Sequence, residues 1–468
     1  MQNRKRFRIF LILVCAVFAA SLLAYAQTAP TATSGAQDPG VRAGFVNAGQ
    51  PLSTLTADQL LFFQDGQTRF QNVDTVSTGL GPAYNSTSCA SCHSQPAVGG
   101  SSPSATQYPN VGPNPQVAAA AAGGATNTLP SFITADGPVR EVRFPFVVSN
   151  GRVTSTPDGG VHDLYTIAGR SDAAGCTLAQ PNFAQAEQLN NIIFRIPTPT
   201  YGAGLIENIA DSTILANMQA SGGLKHSLGI SGHPNTSGND GTITRFGWKA
   251  QNKSLQIFAG EAYNVEVGVT NENFPDERGD PPASCVFNPT PEDASNFSST
   301  GTQIPSDVVE FSHFMRFLAP PSPSSVGIPG NPSASVIQAG RAIFSQIHCD
   351  MCHTPQLPTA ASNYTSALSN QQAALFSDLL VHNMGSGLAD NVSQGSAGPD
   401  EFRTAPLWGL GQRIFFLHDG RSTPENGGLV NAIQQHASSG SEANTVVSLY
   451  NQLSPQQKQE LLYFLRSL

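Results

Sequence analysis

The chain has 468 residues, of which 39% are apolar and only 12% charged, with 44 Gly and 34 Pro. That length leaves room for two or three domains of ~150 residues each, and the Gly and Pro content implies much irregular chain between short elements. A net charge of −9 excludes nucleic-acid binding by phosphate neutralisation.

Arg4, Lys5, Arg6 and Arg8 precede the apolar run from Ile9 to Leu23, and Ala24-Tyr25-Ala26 supplies small residues ahead of Gln27. This is the pattern of a cleaved signal peptide over residues 1–26. The run is shorter than the ~20 residues a membrane span requires. The exported chain would carry 19 Lys and Arg against 32 Asp and Glu, a net −13, which suits attraction of a basic redox partner. A flexible segment follows over 27–44. Thr56-Ala57-Asp58-Gln59 is a capping-box start for a helix running toward Phe70.

Cys89-Ala90-Ser91-Cys92-His93 comes next, and Cys349-Asp350-Met351-Cys352-His353 repeats it. Both are Cys-x-x-Cys-His, the attachment pattern of haem c. Residues i, i+3 and i+4 share one helical face, so two thiols can add to the two vinyl groups of one porphyrin while the imidazole binds its iron. Zinc ribbons also use Cys-x-x-Cys pairs, but ~15–20 residues apart; these lie more than 250 apart. Two covalent haem groups are therefore expected, with Cys89, Cys92, Cys349 and Cys352 as attachment points and His93 and His353 as iron ligands. Two further cysteines, Cys176 and Cys285, form a disulfide in an oxidising compartment or are buried small hydrophobes.

The surroundings of the two motifs are alike. Gln64-x-Gly66-x-x-x-Phe70 precedes the first and Gln338-x-Gly340-x-x-x-Phe344 the second; Phe194-Arg195 and Phe402-Arg403 follow, then Pro199-Thr200-Tyr201-Gly202-Ala203-Gly204 and Pro406-Leu407-Trp408-Gly409-Leu410-Gly411. His93 lies 109 residues before Gly202 and His353 lies 56 before Gly409. Much of the excess, residues 94–130, is rich in Ser, Pro, Gly and Ala and reads as a surface loop. Pro320-Pro321-Ser322-Pro323 opens a linker over 320–334. Ser454-Pro455 starts a terminal helix with the stripe Leu461, Leu462, Phe464, Leu465, Leu468. The expectation is a mainly α fold: two cytochrome c-like haem domains related by duplication, a first over 45–319 with insertions and a second over 335–468.

Six further stretches carry a family resemblance. They are Gly79-Leu80-Gly81-Pro82, Arg245-Phe246-Gly247-Trp248-Lys249-Ala250, Gly268-Val269-Thr270-Asn271, Phe317-Leu318-Ala319-Pro320-Pro321, Asp378-Leu379-Leu380-Val381-His382-Asn383-Met384-Gly385 and Leu417-His418-Asp419-Gly420-Arg421. Over roughly residues 45–468 the chain resembles bacterial di-haem oxidoreductases described as peroxidases or thiol oxidoreductases, relatives of di-haem cytochrome c peroxidase. It departs from them at Val267, where the family has Met, and at Asn383, where it has Asp.

The resemblance implies a periplasmic enzyme with a peroxidatic haem, an electron-relay haem, a peroxide substrate, and a small redox protein or quinol-linked donor. It implies His436 as the second iron's sixth ligand, with Met384 as the alternative, and Glu207 as the catalytic acid–base group. His382 and His418 would adjoin the second haem without binding iron. For the first haem, His226, Met218 and an open position all stand. A tryptophan between the haems, Trp248 or Trp408, would carry an electron hop. A calcium ion belongs to the same picture, although no loop names its ligands. The competing readings are a pure electron-transfer cytochrome with both irons six-coordinate, and a small-ligand sensor.

Overall fold

The computed structural model describes residues 35–44, 47–103, 114–296 and 305–468; the expected signal peptide lies outside them. No helix among the described residues is long and apolar enough to cross a membrane.

Two helix crossings organise the chain. Helix α1 (Ala57–Gln71) starts at the expected capping box, in which the Thr56 side chain accepts from the Gln59 backbone and Gln59 reaches back. After α2 (Cys89–Cys92) and α3 (Pro115–Ala119) come α4 (Phe183–Gln188), α5 (Ala203–Glu207), α6 (Asp211–Gln219) and α7 (Gly222–Leu228). Helix α8 (Leu255–Ala262) continues into a π turn, Tyr263–Val267, and α9 (Asp307–Phe317) follows. The remaining helices are α10 (Ala334–Gln346), α11 (Gly428–Gln435), α12 (Asn444–Gln452) and α13 (Pro455–Ser467).

Helix α1 crosses α9 where Gly66 leaves no room for a Cβ against the Glu310 carbonyl. Helix α10 crosses α13 in the same way, Gly340 lying on the Glu460 carbonyl. Around each crossing sits an aromatic cluster. Phe70 meets Phe314 at 4.9 Å and the His93 ring at 6.0 Å; Phe344 meets Phe464 at 5.5 Å and the His353 ring at 6.4 Å. Helix α13 opens at Ser454 with its own capping box, and Leu461, Leu462, Phe464, Leu465 and Leu468 are all buried.

The mainly α, duplicated cytochrome c expectation does not hold. Only 34% of the described residues are helical and 12% are in strands. Five separate two-stranded antiparallel ladders join the helices: β1 (Ala83–Tyr84) with β5 (Tyr165–Thr166), β2 (Glu141–Arg143) with β6 (Ile193–Arg195), β3 (Phe146–Ser149) with β4 (Arg152–Pro157), β7 (Leu357–Pro358) with β8 (Gln372–Ala373), and β9 (Val381–Asn383) with β10 (Glu401–Arg403). The physical reason is the obligation to pair backbone polar groups. A chain this rich in Gly and Pro cannot do so through long helices, and uses short ladders and side-chain amides instead. The repeated Gly contact is a local likeness of two helix crossings and does not extend to the folds around them.

Residues 94–130 also depart from a surface loop in the part described. Gln116 is buried; it donates to the Arg140 carbonyl at 3.0 Å and accepts from the Arg140 backbone at 3.0 Å. Small residues let this stretch pack inward, with Ala119 and Ala120 in the core. Cys176 and Cys285 are joined in a disulfide. Residues from Asp38 to Leu468 form one compact unit, whose two termini meet where buried Arg466 grips Asp38 through two 2.7 Å hydrogen bonds.

Candidate functional site, two cavities on Cys-x-x-Cys-His motifs

Each motif forms the wall of a cavity. Ser88 caps the short α2 helix, and the preceding Asn85 and Ser86 backbones donate to the Glu266 carbonyl at 2.8 and 3.0 Å. This ties the first motif to the π turn after α8. A π turn carries a side chain off the regular helical face, and such turns recur at functional sites. Cys89, Cys92 and His93 face a cavity of about 1040 Å³ including its mouth. Cys349, Cys352 and His353 face another of about 1480 Å³.

The histidines are presented alike. His93 Nδ1 lies 3.0 Å from the Gly100 carbonyl, His353 Nδ1 2.9 Å from that of Phe376, and His436 Nδ1 2.7 Å from that of Ala432. A carbonyl only accepts, so each Nδ1 holds the proton and Nε2 keeps the lone pair a metal requires. Burial pushes the pKa of His93 and His353 down to about 4 and lowers that of His436, so all three rings are neutral near pH 7. His353 and His436 line the same cavity. Met384 lines it too.

His382 is differently placed. Its Nε2 lies 2.9 Å from Asp378 Oδ2 and its Nδ1 2.7 Å from Glu442 Oε2, so neither nitrogen is free for iron. Burial opposes its charge, but Cys352 and Asp378 raise its pKa well above the usual histidine range. Cys352, Asp378 and His382 converge closely enough for a metal ion, yet this imidazole is already committed to two carboxylates. Burial also pushes the Cys92 and Cys349 thiols up to about 12 and raises Cys89. His418 stacks on Phe402 at 4.2 Å and meets Trp248 edge-on at 6.4 Å.

The first cavity carries a pair of neighbouring carboxyls that the second lacks. Glu141 and Arg143 enter from β2, Arg195 from β6 and Glu266 from the π turn. Burial and the neighbouring Glu141 raise the Glu266 pKa well above the carboxylate range. Burial acts on Glu141 too, but Arg143 and Arg195 outweigh it and hold that group low. The two carboxyls are thus pushed apart, Glu266 toward its neutral form and Glu141 toward its charged one. Among the described residues no second histidine lines this cavity; Met315 of α9 does. His226 is exposed, and neither it nor half-buried Met218 lines the cavity.

Glu207 is not in either cavity. It pairs with buried Arg316, Nε to Oε2 2.6 Å, and accepts from the Leu255 backbone at 2.9 Å at the start of α8. Its position after the Gly202 turn aims it at two structural partners. Trp248 lines both large cavities and a smaller one of about 560 Å³ that it shares with Trp408. Its indole donates to the Ile196 carbonyl at 2.8 Å. The cavity carboxyls went unnoticed in sequence because no local pattern marks two Glu among 32 acidic residues.

These donors fit haem: paired thiols beside a neutral imidazole on the wall of a cavity. A family model described as "Di-haem oxidoreductase, putative peroxidase" matches residues 164–468, a stretch that contains the second motif and not the first. No curated protein matches the chain. Among solved structures, hydrazine synthase of Kuenenia stuttgartiensis, pressurised with xenon, matches at 16% identity and a TM-score of 0.21, covering 35% of this chain and 55% of that one. The chain thus spans about half the length of that neighbour. Since the family model takes in well over half of its 468 residues, the chain belongs to the di-haem oxidoreductase family.

Proposed function

We propose that this di-haem oxidoreductase is an exported, periplasmic c-type protein with peroxidase-like chemistry. Cys89 and Cys92 hold one haem and Cys349 and Cys352 the other, through thioethers, with His93 and His353 as proximal ligands. The first cavity is the reactive one and the second serves electron relay. The carrying observation is the contrast in donors: two lone-pair imidazoles, His353 and His436, share the second cavity, whereas the first holds His93 and a carboxyl pair.

Haem iron supplies the redox equivalents and, where its sixth position is open, the point at which a peroxide coordinates. The chain's own residues do the rest. Glu266 holds a proton in the first cavity and Glu141 stays ionised beside it, so the pair can give a proton to one peroxide oxygen and take one from the other. Arg143 and Arg195 fix Glu141 in its charged form. Trp248, between the cavities, is the aromatic group available for an electron hop. His382, clamped by Asp378 and Glu442, holds the wall of the second cavity at Cys352. The electron donor is a small redox protein or a quinol-linked one.

Visible and EPR spectra of the oxidised and half-reduced protein test this reading. One high-spin haem that binds cyanide, beside one low-spin haem, is expected. Two low-spin haems in every state, with no peroxide turnover, would reject the enzyme. The electron-transfer alternative rests on Met315, whose thioether lines the first cavity and could close that iron.

A further inference from the structure

Arg403 and Arg413 stand together on the wall shared by the second cavity and the small cavity between the tryptophans. Arg403 is buried, and its Nη1 has no hydrogen-bond partner. Its Nε donates to the Gly247 carbonyl at 3.0 Å and its backbone N–H to the Trp248 carbonyl at 2.8 Å. Arg413 makes one long contact, 3.4 Å, to the Pro406 carbonyl. Elsewhere in the interior Arg195 has Asp390, Arg316 has Glu207 and Arg466 has Asp38. Buried Arg42, which has no acid of its own, donates to the Ser324 and Ser467 carbonyls at 2.8 Å and has Arg466, itself paired with Asp38, acting on it. Here burial depresses both guanidinium pKa values to about 10, Arg413 presses on Arg403, and no carboxylate acts on either. Two like charges desolvated side by side are costly unless an anion joins them.

We infer that Arg403 and Arg413 form the seat of a propionate of the haem held at Cys349 and Cys352. The inference rests on the haem assignment proposed above. Both arginines line the cavity that holds His353, and neither lines the first. A propionate is the anionic part of a macrocycle otherwise suited to this mostly apolar cavity, and a planar guanidinium fork matches a carboxylate. Because Arg403 is bonded to the backbone of Gly247 and Trp248, the same seat fixes the edge of that haem relative to the indole. Arg403 and Arg413 are therefore positioning residues.

The test is the midpoint potential of each haem, by spectroelectrochemistry, in wild type, Arg403→Gln, Arg413→Gln and Arg403→Lys. An uncompensated propionate stabilises the oxidised iron, so both Gln variants are expected to lower the potential of the low-spin haem. The first haem should stay unmoved and Arg403→Lys should lie close to wild type. Partly exposed Arg413 provides the decisive variant if Arg403→Gln does not fold. Full haem loading with an unchanged low-spin potential in the foldable Gln variants would overturn the inference, as would an equal shift of both haems. Wild type recovered without covalent haem would instead overturn the reading on which the inference rests.

Discussion

The two motif cavities share a wall design and differ in what faces it. Each has a Cys-x-x-Cys-His segment, a Phe from the preceding helix against the histidine, and an imidazole tied through Nδ1 to a carbonyl. The first then adds Glu141, Glu266, Arg143 and Arg195. The second adds His436 and Met384 within a mostly apolar lining. The motif by itself therefore assigns no role. Whether an iron is held closed or left reactive is decided by residues far away in sequence, and the comparison can be broken at each of them.

The largest effect should come from the attachment points. Replacing Cys349 and Cys352 together by Ala should remove one haem mass from the denatured protein, and so should replacing Cys89 and Cys92. The first variant should lose the low-spin spectrum and the second the cyanide-sensitive one. Intact-mass spectrometry with EPR decides this, and loss of both haems' signals from either variant would dissolve the contrast.

Glu266→Gln should come next. Removing the protonated member of the pair should slow peroxide turnover by ~10²–10⁴-fold, with haem content and cyanide binding retained. Glu207→Gln gives the control in a residue of the same type. Its loss leaves buried Arg316 without an acid, so it should cost on the order of 3 kcal/mol of stability, read by denaturant unfolding, and leave turnover per folded molecule unchanged. The opposite pattern would return the acid–base role to Glu207.

Legibility followed distance along the chain. The haem motifs, the Thr56 and Ser454 capping boxes and the stripe on α13 are set by residues three or four apart, so periodicity reports them. His436 came from the family resemblance, which places a ligand at the end of the helix after Leu417-His418-Asp419-Gly420. The carboxyl pair unites residues 141 and 266, on a three-residue strand and a π turn, and neither leaves a periodic trace. The same limit explains the fold. Ladders of two to six residues are too short for an alternating pattern, so the helices alone were visible and the chain read as mainly α. The partners of Glu207, Arg316 and the Leu255 backbone, were hidden for a related reason: position after a turn says where a side chain begins, not which partner holds it.

His436→Ala should change one property of one haem. The low-spin haem should become high-spin and bind cyanide, while Met384→Ala and His226→Ala should leave the spectrum as it is. Should Met384→Ala produce the high-spin signal, the thioether is the ligand and His436 is only a cavity wall.

The smallest effect is on stability against pH, and there the two regions should move in opposite directions. Beside the first motif, burial raises Asp74 to about 6, and Tyr263 hydrogen-bonds to it at 3.2 Å without undoing the shift. A folded state with a raised pKa holds its proton more tightly than the unfolded chain, so its contribution is full below about 4 and lost as pH rises to about 6. Beside the second motif, burial would raise Glu442, but His382 outweighs it and holds the carboxyl at about 2. That contribution is present above about 4.5 and disappears as pH falls through 2. Asp74→Asn should therefore stabilise the protein at pH 7, by about 1–3 kcal/mol at 1.36 kcal/mol per pKa unit, and do nothing at pH 4. Glu442→Gln should destabilise it at pH 7 and progressively less toward pH 2. Thermal melts at pH 7, 4 and 2 measure both differences; if Asp74→Asn destabilises at pH 7, that carboxyl is ionised and paired, and the first region is as well compensated as the second.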